Sequence, residues 1–138
     1  MEKRLSRFQT WTARRTAKMA KYFSPQEFVK CNPSCRIEQM NPKFLELLDE
    51  VRETAGIPLV LNSAYRTKSY EQMKGRSGNS AHTRGLAVDI RCKSHENRFR
   101  IIQAAIRCGI RRIGIGKTFI HLDVDKSLPQ SVIWDYYD

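Results

Sequence analysis

Apolar residues recur along the chain at two spacings, one of helices and one of strands, and the switch between them outlines the elements. Phe44, Leu47, Leu48 and Val51 fall at the i, i+3, i+4 and i+7 positions of a buried helical face. Asn41-Pro42 supplies a cap and a first-turn proline for that helix, and Gly56 supplies its stop. Ser24-Pro25-Gln26-Glu27 is a capping box and predicts a short helix. Ser94 caps a further helix, whose predicted face is Phe99, Ile102, Ala105 and Ile106 and whose stop is Gly109. Pro58 to Asn62 and Leu86 to Arg91 read as strands. So do Arg111 to Gly116 and Phe119 to Val124, joined by a tight Gly116-Lys117-Thr118 connection. The polar stretch from Ser63 to Ser80 reads as loop with a helical turn. Helices come first, then strands with one helix among them. The expected class is α+β, a small antiparallel sheet with flanking helices.

A length of 138 residues fits one domain with a real core. Residues 1–22 stand apart, with seven Lys/Arg against Glu2, and Leu5, Phe8, Trp11, Met19 and Tyr22 at roughly helical spacing. The division expected is therefore a basic amphipathic helix over 1–22 and a domain over 23–138. That helix either packs on the domain with a solvated basic face or meets an anionic envelope surface.

The net charge of +11 extends the same theme, since a field of that sign gathers polyanions. Nucleic acid, anionic cell-wall polymers and lipopolysaccharide are all candidates by charge, which alone does not choose among them; with no nucleic-acid reading motif present, nucleic acid is not expected. No apolar run approaches the ~18–20 residues of a membrane span. The N-terminus also lacks the apolar stretch and cleavage site of a secretory signal, so synthesis in the cytoplasm and a monomer are expected. Cys31 and Cys35 have the spacing of half a zinc knuckle, but no second pair matches it. All four cysteines are expected as plain thiols.

The chemistry gathers in two segments. Along Phe119-Ile120-His121-Leu122-Asp123-Val124-Asp125, alternation sends Ile120, Leu122 and Val124 to one face and His121, Asp123 and Asp125 to the other. An imidazole beside two carboxylates asks for a cation or solvent. In Ser80-Ala81-His82-Thr83-Arg84-Gly85-Leu86-Ala87-Val88-Asp89-Ile90, Asp89 lies opposite Val88 and Ile90. Gly85 would let His82 fold back over the strand that follows. His82, Asp89 and His121 then make a three-ligand set that leaves a fourth tetrahedral zinc position open, as catalytic sites do. His95, at a helix start, reads as an ordinary surface or core histidine.

The pattern Ser80-x-His82-x-x-Gly85-x-Ala87-x-Asp89-Ile90, followed by Phe119-Ile120-His121-Leu122-Asp123 and preceded by Ser63-Ala64-Tyr65-Arg66, resembles the zinc D-alanyl-D-alanine carboxypeptidase family. That family shares its fold with the hedgehog signalling domain and includes vancomycin-resistance dipeptidases, phage L-alanyl-D-glutamate endopeptidases and murein endopeptidases. The resemblance runs from about Tyr22 to Trp134 and implies zinc ligation by His82, Asp89 and His121. It implies hydrolysis of a peptide bond in peptidoglycan by a metal-activated water. Many members carry the general base three residues before the last histidine ligand. Here that position is Thr118, so Asp123 is the expected base, the alternative being that it orients a zinc ligand. Arg66 resembles the arginine that meets the substrate, with Ser80 and Tyr65 as further substrate contacts or, respectively, a loop cap and packing.

The compact chain and basic N-terminus resemble the phage and prophage members, which implies an endolysin acting on the wall after release from the cytoplasm. Two alternatives stay open: a non-lytic D,D-carboxypeptidase or dipeptidase, and a non-catalytic zinc domain that binds wall or a protein partner.

Overall fold

The computed structural model describes residues 20–137. The basic helix expected over 1–22 lies outside them except for Ala20, Lys21 and Tyr22, which are not helical. The elements run α1 (Pro25–Val29), α2 (Pro42–Ala55), β1 (Leu61–Ser63), α3 (Lys68–Met73), β2 (Ala87–Arg91), α4 (His95–Arg107), β3 (Arg112–Ile115), β4 (Phe119–Asp123) and β5 (Val132–Asp135). Single 3-10 turns lie at Ile37–Gln39 and Ala81–Arg84.

The local signals act as chemistry requires. Asn41 accepts from the backbone N–H groups of Lys43 and Phe44, which would otherwise be unpaired at the start of α2. Ser94 caps α4 by accepting from Asn97 N–H. The capping box of Ser24 and Glu27 opens α1. Two expectations shift. The first strand covers Leu61–Ser63 rather than Pro58–Asn62; Val60 before it is exposed and meets β2 only through its carbonyl, which accepts from Arg91 N–H at 2.8 Å. On α4 the buried stripe is Ile101, Ala104 and Ala105, while Phe99 and Ile106 face solvent. Both stripes share the helical period. Alanines at 104 and 105 let the helix lie close against α2, which bulky residues at 99 and 106 would not.

The sheet has the order β1-β2-β4-β3-β5. Its first four strands pair antiparallel, as expected, but β5 runs parallel to β3 at the edge. The sheet is thus mixed within an α+β fold, and the aromatic tail supplies the extra strand. One face of the sheet packs Val88, Ile90, Ile113, Ile120 and Leu122 into a single core with Phe44, Leu45 and Leu48 of α2. Burial of each such side chain contributes roughly 1.5–3 kcal/mol. All four cysteines are free thiols, three of them buried in or beside that core. No helix among the described residues is long and apolar enough to cross a membrane.

Register arranges the other face. Ser63 pairs with Asp89, Asp89 with His121, His121 with Gly114, and Gly114 with Trp134. These five residues form one row straight across the sheet. The next row holds Ala87, Asp123, Arg112 and Val132.

Candidate metal centre

The residues expected to act together are brought together. His82, Asp89 and His121 each offer a ligand atom within 4.8 Å of the others. Asp89 and His121 meet through strand register. His82 arrives from the 3-10 turn before β2, where Gly85 stands at φ +70° and passes tightly under the 3-10 turn at Ile37–Gln39. A Cβ on Gly85 would lie 2.5 Å from the Gln39 carbonyl oxygen, and the Gly85 carbonyl accepts from Asn41 N–H at 3.0 Å. Only glycine meets both demands. Arg84 fastens the same turn to the end of β4, its Nε donating to Asp125 Oδ2 at 2.6 Å.

The hydrogen bonds fix which nitrogen each histidine presents. His82 Nδ1 lies 2.6 Å from the Ala64 carbonyl, which can only accept, so Nδ1 carries the proton and Nε2 a lone pair. His121 Nε2 lies 2.6 Å from Asp123 Oδ2, so Nδ1 presents the lone pair. His82 Nε2 and His121 Nδ1 face Asp89 Oδ1 at 3.4 and 3.0 Å. Three lone-pair donors thus converge on one point, a set that suits a divalent cation of zinc type. Burial pushes the Asp89 carboxyl up, but its bonds to His121 and His82 outweigh this and hold it well below the usual carboxylate range. Burial lowers His121, and its carboxylate partners Asp123 and Asp89 more than reverse this, holding it above an ordinary histidine.

A second set of groups braces the donors. Asp123 is 1% exposed and both its oxygens are engaged. Oδ2 takes His121, while Oδ1 accepts from Arg112 Nε at 2.8 Å and from Asp125 N–H at 3.0 Å. The carboxylate expected as the general base or as an orienting group is thus bonded directly to the His121 ring. Arg112 is itself fixed by the Pro129 carbonyl at 2.6 Å and by the face of Trp134 at 4.9 Å. Thr118 is exposed on the connection before β4.

Arg66 donates to Ser63 Oγ at 2.9 Å, Asp89 Oδ2 at 2.9 Å and Glu71 Oε2 at 3.4 Å. It steadies the ligand carboxylate while keeping guanidinium N–H groups for a ligand in the cavity it lines. Ser80 donates to Glu71 Oε2 at 2.5 Å and makes no side-chain cap. Tyr65 packs against the core and is not among the residues that line the cavity.

The cavity holds about 360 Å³ and is open on one side. Sequence reasoning missed six of its residues: Glu71, Arg76, Arg112, Leu128, Trp134 and Tyr136. Glu71 is fully buried, with Oε1 unpartnered. The signal for Arg112 was available, since it sits on the strand next to Asp123. Trp134 and Tyr136 were noted only as an aromatic tail, because the strand that carries them has no strong periodicity.

The family model described as Peptidase M15 matches residues 21–123. Among solved structures, the crystal structure of the Serratia marcescens L-Ala D-Glu endopeptidase ChiX is similar in fold. It is 15% identical, with a TM-score of 0.50, over 80% of this chain and 92% of that one. No curated protein matches in sequence.

Proposed function

The chain belongs to the peptidase M15 family, and from that premise we propose that it is a zinc-dependent peptidoglycan peptidase cutting a bond of the stem peptide or cross-bridge. The observation that carries the reading is the convergence of His82 Nε2, Asp89 Oδ1 and His121 Nδ1 in an open cavity, each fixed by a partner behind it. These three would hold the ion. Zinc bound there supplies Lewis acidity, polarising a carbonyl and making a water nucleophilic near neutral pH.

The protein's own groups supply the rest. Asp123 and Arg112 keep His121 in one tautomer and orientation, and Ala64 does the same for His82. Arg66, on the cavity wall beside Asp89, suits a substrate carboxylate or the scissile carbonyl. Ser80 beside it suits a hydrogen bond to the peptide. For Asp123 to accept a proton as well, its oxygens would have to release His121 and Arg112.

The finer reading is an endolysin-like enzyme that meets the wall after release from the cytoplasm. The basic stretch over 1–22 would then serve as a separate contact to anionic envelope polymers, supported by its seven cationic residues against one acid. The L-Ala–D-Glu bond, named for the structural neighbour, is the first bond to test. A second reading, a non-catalytic zinc domain, is favoured by one observation: Asp89 and Asp123 are both engaged, and position 118 is Thr.

Mass spectrometry of muropeptides after incubation with the purified protein, with and without chelator, separates these readings. New chain ends at one defined bond, lost with chelator and restored by Zn²⁺, are expected. Free D-alanine without solubilised wall would point instead to a carboxypeptidase. Zinc retention with no product from sacculi of several species would sink the enzyme reading.

A further inference from the structure

Gly114 lies between His121 on β4 and Trp134 on β5, in the row that crosses the sheet through the donor set. The absence of a side chain there is used. A Cβ would lie 2.7 Å from Tyr136 Cε2 and 2.8 Å from Trp134 Nε1, so both rings occupy the space it leaves. Trp134 comes within 5.4 Å of the His121 ring, and Tyr136 packs 5.2 Å from Phe119 and 6.3 Å from Trp134. Both rings line the cavity with His82, Asp89 and His121.

The Trp134 and Tyr136 rings pack edge to face at 68°, so the indole limits where the phenol can lie. A neutral phenol carries an O–H that can donate. Tyr136 shares the wall of that cavity with Arg66, Asp89 and Asp123. Burial, the largest influence on it, keeps the phenol protonated.

We propose that Tyr136 is a further catalytic residue: its hydroxyl donates a hydrogen bond to the scissile carbonyl oxygen as charge develops there, with Trp134 holding the phenol in place. The proposal rests on the peptidase reading and assigns one role within it. Water adds across the C–N bond, the carbonyl carbon gains the hydroxyl and the leaving amine gains a proton. Tyr136 keeps its own proton throughout. A neutral donor pre-positioned at an incipient oxyanion acts on the transition state rather than on substrate binding. The residue lies beyond the segment 21–123 that matches the family model.

The test is Tyr136→Phe in the full-length, zinc-loaded protein, since the substitution keeps the ring and removes one hydroxyl. On the muropeptide that the wild type cleaves, kcat is expected to fall roughly 100-fold with KM little changed. Zinc content should equal that of the wild type. Binding of a phosphinate analogue of the same peptide, measured by calorimetry, should weaken by a similar factor. Wild-type kcat and wild-type phosphinate affinity in the variant would overturn the role of Tyr136 while leaving the peptidase reading intact. A wild type that cleaves nothing would overturn both.

Discussion

At the scale of single residues, the site is a matter of where each ring nitrogen points. Strand alternation carries His121 and Asp123 to the same face, and the two-residue step brings Asp123 Oδ2 to 2.6 Å from the imidazole. That bond decides the tautomer, which decides that Nδ1 faces His82 and Asp89. If Asp123 acts through His121, Asp123→Ala should weaken zinc binding about 10–100-fold, measured by competition with a chromophoric chelator. A base that acted only on water would leave zinc affinity untouched. The two converging histidines, His82 and His121, were legible because each sits in a strong local pattern. Glu71 was not, because a glutamate on a short polar helix looks the same buried as exposed. Only the fold shows it fully covered, with Ser80 and Arg66 on one oxygen.

At the scale of elements, the turn over Ala81–Arg84 is the least self-sufficient part of the site. It is one 3-10 turn, held by Arg84 to Asp125 and by Gly85 against the segment before α2. Gly85→Ala should place a Cβ at positive φ and into the Gln39 carbonyl. A loss on the order of 2 kcal/mol or more is expected in chemical denaturation. Zinc content should fall with it, because His82 rides on the displaced turn. The glycine was legible as a turn, but what it passes under was not, since Gln39 lies far from it in sequence. The same limit explains α4. Its period allowed two stripes, and proximity to α2 chose the one with small side chains.

At the scale of the whole molecule, the donor set joins a turn and two strands that have no such proximity in an unfolded chain. An ion bound only in the folded state therefore stabilises it, by about 2.7 kcal/mol when free ligand exceeds Kd a hundredfold. Removing zinc with chelator should lower the melting temperature, and adding Zn²⁺ should restore it. The shift should vanish in His121→Ala. It should also shrink as pH falls, beginning above the ordinary histidine range because His121 is held above it, since protons compete for the lone pairs that zinc requires. A zinc-induced shift that persisted in His121→Ala would place the ion elsewhere.

The amino-acid pattern alone determined the helix caps, most of the strands and the α+β class, and it singled out the three side chains that converge, His82, Asp89 and His121. Each of these depends on side chains close in sequence, through period, capping chemistry or motif. Tertiary structure decided what depends on register and on distant segments. Among these are the row from Ser63 to Trp134, the parallel edge strand β5, and the pairing of Asp123 with Arg112 across strands. The same holds for the space at Gly114 that admits Trp134 and Tyr136. Alternation names the face on which a side chain lies, whereas only pairing between strands says which residue stands beside it.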